Sequence, residues 1–376
     1  MAGPPHELPS SLALALADAM SLAPTEAERQ AMARPIVRSA AAVEAMWQGD
    51  AAREPEAQIR FYRAALSGDP DSALLRNQLG AALARAGQDA RALEEFEAAA
   101  RLQPDYAAAQ TNRGLLLKQH KRWKEAEAAF RQAIALDAKS PTPHLGLARL
   151  LDRLGATIET VDELEKAVEL DPSHVDALRS LADFYFETYD LKASRRTVER
   201  ILEIEPQDVA ALNLLGLLKL VPHDYKGAEE TLRKALSLKP DAPETLANLG
   251  LALYGQKRTG EAIASIERAI ALDARCAKAY LYLGRIHMTE NRPDDAAAAF
   301  QRAAEIDPNM VGARQGIDSA RAARAHGGTG CGCLDAVGTA TGLADRGPGL
   351  ILPAFVLLAP HALRLARRRK RGRHPF

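Results

Sequence analysis

One glycine spacing in this sequence is that of a phosphate-binding loop. Gly250 and Gly255 stand five residues apart, but Gln256 and Lys257 follow where that loop requires Lys and then Ser or Thr. The zinc-helix pattern His-Glu-x-x-His and the nucleophile turn Gly-x-Ser-x-Gly do not occur. The sequence therefore predicts neither phosphate-loop hydrolysis nor hydrolysis by a zinc-bound water or a serine.

The residue types that bind metals are scattered along the chain. Five of the nine histidines occupy unrelated positions in its central part: His120, His144, His174, His223 and His287. Cys331 and Cys333 form a Cys-x-Cys pair without the second ligand pair that zinc requires, and Cys276 is the only other cysteine. We expect no metal, no cofactor and no disulfide framework. Because no catalytic set of residues is present, the prediction is that the protein is not an enzyme.

A repeat of 34 residues runs seven times without insertion from Ala73 to Met310, and it must position any functional side chain. Positions 20 and 27 are small in nearly every copy, and position 32 is usually proline. Position 8 is Gly80, Gly114, Ala148, Ala182, Gly216, Gly250 and Gly284. Position 24 is apolar and large: Phe96, Phe130, Leu164, Val198, Leu232, Ile266 and Phe300.

Each repeat predicts two helices, because its apolar residues fall at helical spacing in two runs. Small residues let the two helices approach closely, and the large residue at position 24 fills the remaining space. Pairs such as Asp171-Pro172 end the second helix, since proline lacks an amide hydrogen and restricts the residue before it. One repeat cannot bury its own apolar face, so neighbouring repeats must stack. The predicted fold class is all-α.

This period with these columns resembles the tetratricopeptide repeat (TPR) family. The resemblance implies a right-handed superhelical solenoid of helix-turn-helix repeats whose first helices line a concave groove for a peptide or protein segment. Carried over by repeat position, the groove residues are Asn77, Asn112, Lys118, Arg149, Arg179, Asn213, Leu214, Leu217, Leu220, Asn248, Leu251, Tyr254, Tyr282, Arg285 and Met288. The alternative is that several of these side chains pack between helices instead.

The segments flanking the repeats have their own composition. In 1–38, the Leu- and Ala-rich run from Ser10 to Ala23 follows no Lys or Arg and contains Asp18, so we interpret it as an N-terminal helix rather than an export signal. Residues 39–72 resemble an eroded capping repeat, and 311–325 predict a C-terminal capping helix.

The C-terminal end changes composition abruptly. Residues 326–346 form a Gly- and Cys-rich linker, and 347–376 join a short apolar segment to an arginine cluster. This order resembles the myxobacterial C-terminal sorting signal, which implies a bacterial surface protein held by the segment and processed near Cys331 or Cys333. We expect membrane association through 347–376, as a short transmembrane helix followed by positive charge. The alternative is a cytoplasmic protein with a soluble basic tail.

The formal net charge is zero, and seven of the 49 basic residues lie in the last thirteen. The remainder is mildly acidic, so no nucleic-acid partner is expected. Together these observations predict a non-enzymatic scaffold that binds a peptide or protein segment and associates with a membrane. The second hypothesis is a structural spacer or self-assembling repeat protein, and the sequence leaves the oligomeric state open.

Overall fold

The structure is a computed structural model that describes residues 39–155 and 157–325. These ranges contain seventeen α-helices and no strand, as an all-α fold requires. The helices fall into two compact units, which meet in sequence at Pro172 and Ser173 and are described separately.

Unit 1 contains eight helices: α1 (Ala40–Ala51), α2 (Pro55–Gly68), α3 (Ala73–Arg85), α4 (Asp89–Leu102), α5 (Ala107–Gln119), α6 (Trp123–Leu136), α7 (Pro141–Leu154) and α8 (Thr157–Leu170). Unit 2 contains nine: α9 (Val175–Glu187), α10 (Leu191–Ile204), α11 (Val209–Leu220), α12 (Tyr225–Leu238), α13 (Pro243–Gly255), α14 (Thr259–Leu272), α15 (Ala277–Thr289), α16 (Pro293–Ile306) and α17 (Val311–Ala325). Every repeat from Ala73 onward forms the predicted pair of helices.

The contact between repeat positions 8 and 24 holds each helix pair together. A Cβ added at Gly114 would lie 2.8 Å from the Phe130 ring, and one added at Gly250 would lie 2.5 Å from Cγ1 of Ile266. Phe130 and Ile266 are themselves fully buried. Glycine is required at these positions because the large side chain occupies the space in which a methyl group would stand.

The second helix of a repeat ends at the same position whether or not proline follows. Helix α4 ends at Leu102, two residues before Pro104, and α6 ends at Leu136, two residues before Ala138. In α6 the amide of Asp137 donates to the carbonyl of Ala133 at 2.9 Å and closes the last turn. Proline at position 32 is therefore not required for the helix to end there.

The turn inside every repeat places position 15 in the left-handed region. Its φ angle is 73° at Gly87, 59° at Lys121 and 63° at Lys257, and the other four repeats agree. In the repeat that contains Lys257, the amide of the next residue, Arg258, donates to the carbonyl of Leu253 at 3.1 Å, which caps the first helix. Five of the seven residues at this position are not glycine, so the turn is imposed by packing rather than by residue type.

Several predicted segments lie outside the described residues: the N-terminal helix in 1–38, the linker 326–346, and the tail 347–376 with its membrane segment and cysteines. Helices α1 and α2 occupy 39–72 and α17 occupies 311–325, while the capping roles of these segments stay predictions. Within the described ranges, no helix has both the length and the apolar content to cross a bilayer.

Candidate peptide-binding site

The first helices of successive repeats contact each other within each unit. In unit 1, α3 touches α5 and α5 touches α7; in unit 2, α11 touches α13 and α13 touches α15. Side chains on these helices therefore form one wall in each unit. The predicted groove residues lie on this set of helices.

Two pairs of asparagines bridge neighbouring first helices with the same geometry. In unit 1, Nδ2 of Asn112 donates to Oδ1 of Asn77 at 2.9 Å, and in unit 2 Nδ2 of Asn248 donates to Oδ1 of Asn213 at 2.9 Å. Each pair joins position 5 of one repeat to position 6 of the next, 35 residues on. The sequence analysis selected these four residues singly and missed the pairing, although the equal spacing of 35 was a visible signal.

The two asparagine pairs differ in the further hydrogen bonds that their side-chain amides make. In unit 1, Nδ2 of Asn77 donates onward to the hydroxyl of Tyr106 at 3.3 Å. In unit 2, Asn248 is 1% exposed and its Oδ1 is buried without a hydrogen-bond partner. This oxygen is covered by protein atoms, and a buried carbonyl oxygen without a donor costs free energy.

The wall of unit 1 gathers positive charge. Burial lowers the pKa of Lys118, and the nearby guanidinium groups of Arg149 and Arg153 lower it further. Arg153 also lies over the indole of Trp123, 5.7 Å from the ring centre. Lys118 and Arg149 thus lie close to each other, and Arg153 joins them from the next turn of α7.

Arg179 is engaged inside the protein instead of facing a free groove. Its Nε donates to Oδ2 of Asp208 at 2.6 Å, and its other nitrogens donate to Asp176 at 2.8 Å and Glu205 at 2.9 Å. Asp208 also caps α11, accepting from the amide of Ala211 at 2.8 Å. Arg179 therefore fastens the loop before α11 to α9. A 770 Å³ depression beside it is lined by residues 205–210.

The apolar part of the predicted groove is narrower than its residue list. Four of its members are buried in the core of unit 2: Leu214 at 7% exposure, Leu220 at 8%, Leu251 at 9% and Tyr282 at 3%. Three remain half-buried and pack on the same core: Leu217, Tyr254 and Met288. These three carry the apolar surface that a ligand can reach.

Arg285 is one of the cations on the first helices of unit 2. It is half-buried on α15, and its Nη1 is buried without a hydrogen-bond partner. Burial lowers the pKa of its guanidinium, and the only opposing influence is Tyr282. Arg285 lies three residues before Met288 on α15, about one helical turn away.

Within the described ranges no three His, Cys, Asp or Glu side chains are grouped closely enough to hold a metal ion. The polar contacts of histidine are pairwise: Nδ1 of His144 lies 2.6 Å from Glu163, and Nε2 of His120 lies 2.7 Å from Asp89. The wall is thus equipped with amides, apolar side chains and cations, which are suited to binding a peptide.

Two family models described as tetratricopeptide repeat match this chain. One matches residues 77–141, 213–274 and 247–311, and the other matches 154–218. Together they cover more than half of the sequence. The chain belongs to the tetratricopeptide repeat family. Proteins of this family are generally scaffolds for protein interactions and are typically non-enzymatic.

Individual relatives agree with this assignment. Tetratricopeptide repeat protein 21B of Xenopus laevis is 34% identical over 125 residues, which make up 31% of this chain and 10% of the relative. The chain thus spans about a tenth of that protein's length.

Solved structures share the fold at low identity. A TPR protein from Parabacteroides merdae superposes with a TM-score of 0.55 at 20% identity, over 65% of this chain and 97% of that one. The hetero-tetramer Cut9–Hcn1 of the APC/C superposes with a TM-score of 0.56 at 17% identity, over 74% and 54%.

Proposed function

We propose that this TPR protein is a non-catalytic scaffold that holds an extended peptide segment of a partner protein against the first helices of unit 2. The observation that carries the proposal is a set of half-buried apolar side chains on the first helices of unit 2, Leu217, Tyr254 and Met288, which keep exposed surface. The side chains of an extended peptide can pack on such surfaces.

Two of these apolar side chains lie on the same helices as the Asn213–Asn248 pair. Leu217 follows Asn213 by one turn of α11, and Tyr254 lies on α13 with Asn248. Both are half-buried, so each keeps surface for an apolar side chain of the ligand. Apolar surfaces at fixed spacing select the side chains of a peptide and give it both affinity and register.

A peptide library tests this proposal on the full-length chain. Peptides selected from a random nonapeptide library should bind the wild type and should lose at least tenfold in affinity against Leu217→Asp plus Tyr254→Asp, measured by calorimetry. The matched control is Leu238→Asp plus Leu272→Asp, because these leucines are 39% and 43% exposed on second helices. Equal affinity for the wild type and the groove variant would show that the peptides do not bind to this wall.

The tail adds a proposal about location. We propose that residues 347–376 attach the scaffold to a membrane, with the apolar segment in the lipid and the arginines at its surface. Deletion of 346–376 should move the protein from the membrane pellet to the supernatant and leave its helical circular dichroism unchanged. Pelleting of the truncated protein would contradict the attachment.

A second candidate function is self-assembly through the second helices. Position 30 carries an exposed apolar side chain in successive repeats of unit 2, with Ile204 at 40%, Leu238 at 39% and Leu272 at 43% exposure. Regularly spaced apolar side chains favour contact with a second copy. If sedimentation shows oligomers that Leu238→Asp plus Leu272→Asp dissolves, and no peptide binds the groove, this function replaces the first.

A further inference from the structure

Arg285 in unit 2 is a cation without a counter-ion. No carboxylate of the described residues lies within ion-pair distance of its guanidinium, and its Nη1 is buried with no acceptor. Burial lowers the pKa of this group, which means that the fold disfavours its charge. A half-buried guanidinium without an ion-pair partner lowers stability, so its presence calls for an explanation beyond packing.

The elements around Arg285 supply no compensating acid. On α15, Lys278 is paired with Glu244 of α13 at 3.2 Å, and the neighbouring Tyr282 is neutral. From α17, Gly312 faces the guanidinium: a Cβ added there would lie 3.3 Å from Nη2. The first turn of α17 contains no acidic residue, although Asp or Glu is favoured at that end of a helix.

We infer that Arg285 binds a carboxylate of the partner segment, so that the peptide held by unit 2 carries an Asp or Glu side chain at this point. The inference rests on the proposed function and deepens it by stating the chemistry of one ligand residue. A guanidinium presents two parallel N–H groups that match the two oxygens of a carboxylate. The acid therefore adds both charge pairing and orientation to the contacts of the apolar side chains.

A polypeptide fits this wall better than a nucleic acid does. Binding to a phosphate backbone depends on several cations in a row. On the first helices of unit 2, Leu217, Tyr254 and Met288 are half-buried apolar side chains, and Lys278, on the same helix as Arg285, is paired with Glu244. One anion among apolar contacts is the pattern of a short acidic and hydrophobic peptide motif.

The first experiment places an acid beside Arg285 within the protein itself. Gly312→Asp puts a carboxylate next to Nη2, and Gly312→Asn is the neutral control of the same shape. We expect the Asp variant to have a higher thermal midpoint than the Asn variant, and this difference should shrink in an Arg285→Met background, because the helix end alone favours an acid in both backgrounds. A difference of equal size in the two backgrounds would contradict the inference. A lower midpoint for Gly312→Asp would mean that Arg285 is not short of an anion, and it would overturn the inference without any ligand being used.

The second experiment uses the nonapeptide library on the full-length chain to test whether the ligand carries an acidic residue. Peptides selected on the wild type should be enriched in Asp or Glu at one position, and replacing that residue by Asn or Gln should weaken binding at least tenfold. Against Arg285→Met, the acidic and neutral peptides should bind equally. Arg285→Met should also raise the thermal midpoint, since it removes a buried unpaired charge and keeps an apolar side chain.

The outcomes separate this inference from the function on which it rests. Peptides that need Leu217 and Tyr254 but show no acidic preference leave the scaffold function standing and overturn the role of Arg285. Selection of no groove-dependent peptide overturns both. Retention of a twenty-residue oligothymidylate that Arg285→Met abolishes would assign the cation to nucleic acid instead.

Discussion

Asn248 on α13 donates its side-chain amide to Asn213 on α11 at 2.9 Å, across 35 residues of sequence. The bond recurs between Asn112 and Asn77 in unit 1 at the same distance. Two repeats that lie next to each other in sequence are thus tied by a polar contact on the wall where a ligand is proposed. A buried amide network of this kind holds neighbouring first helices in one register.

The asparagine bond predicts a measurable coupling. Asn213→Ala should lower the free energy of unfolding by about 1–3 kcal/mol, because it leaves the buried amide of Asn248 without its acceptor. Urea unfolding followed by circular dichroism measures the change. Asn309→Ala, in an exposed turn, is the control and should change stability by less than about 0.5 kcal/mol.

Replacement by alanine should have opposite effects at two helical glycines, Gly250 and Gly260. Gly250→Ala should cost about 1–3 kcal/mol of stability, because its methyl group would lie 2.5 Å from Cγ1 of Ile266 and 3.0 Å from the carbonyl of Ala262. Gly260→Ala should instead add about 0.5–1 kcal/mol, because that helical glycine has nothing within 4 Å of an added Cβ. Equal effects in the two variants would contradict the packing argument.

The left-handed turn predicts a stabilising glycine. Lys257 has φ of 63°, which costs a residue with a side chain roughly 1–2 kcal/mol. Lys257→Gly removes this cost but adds freedom to the unfolded chain, so we expect a net gain of about 0.5 kcal/mol. Lys234→Gly, within α12, should lose about 1 kcal/mol. Chemical denaturation of both variants tests whether the sign depends on the backbone position.

Burial of His287 predicts a loss of stability in acid. Burial lowers the pKa of this imidazole below its ordinary 6.5, and Arg292 lowers it further, against the smaller influence of nearby acids: Asp295, Glu267 and Glu290. As the pH falls below 6.5 towards the folded pKa, the unfolded chain takes up the proton first, so the free energy of unfolding decreases. Above 6.5 the histidine is neutral in both states and contributes no pH dependence.

The histidine prediction is checked by urea unfolding between pH 7.5 and 5. His287→Leu should lose less stability over this range than the wild type does. His223→Leu, in an exposed turn, serves as the control. An unchanged pH profile in His287→Leu would show that this imidazole is not the group responsible.

Most of the fold could be predicted from the sequence because the same pattern of small and large apolar residues recurs in seven repeats. The columns at positions 8 and 24 predicted the contact of Gly114 with Phe130 and of Gly250 with Ile266, and both are present. The helix pairs were predictable because apolar spacing is a local property. The left-handed turn at Lys121 and Lys257 was not, since these residue types do not favour it.

The groove was only partly readable. Repeat position placed Tyr254 and Tyr282 in the same class, yet Tyr254 is half-buried and Tyr282 is 3% exposed. Repeat position also placed Arg179 in the groove, but its charge is paired with Asp208, 29 residues later in the sequence. Exposure and ion pairing depend on which side chains of the next repeat lie nearby. Equivalent repeat positions do not give the distances to those side chains.

The amino-acid sequence alone therefore determined the family, the helix pairs and the packing of small residues against large ones, because these follow from periodicity and side-chain size. The tertiary structure decided that Asn213 meets Asn248, that Arg179 is paired with acids, and that Arg285 has no ion-pair partner among the described residues. Those three facts come from distances between residues of different helices. Such distances are set only when neighbouring repeats pack, and the candidate site depends on them.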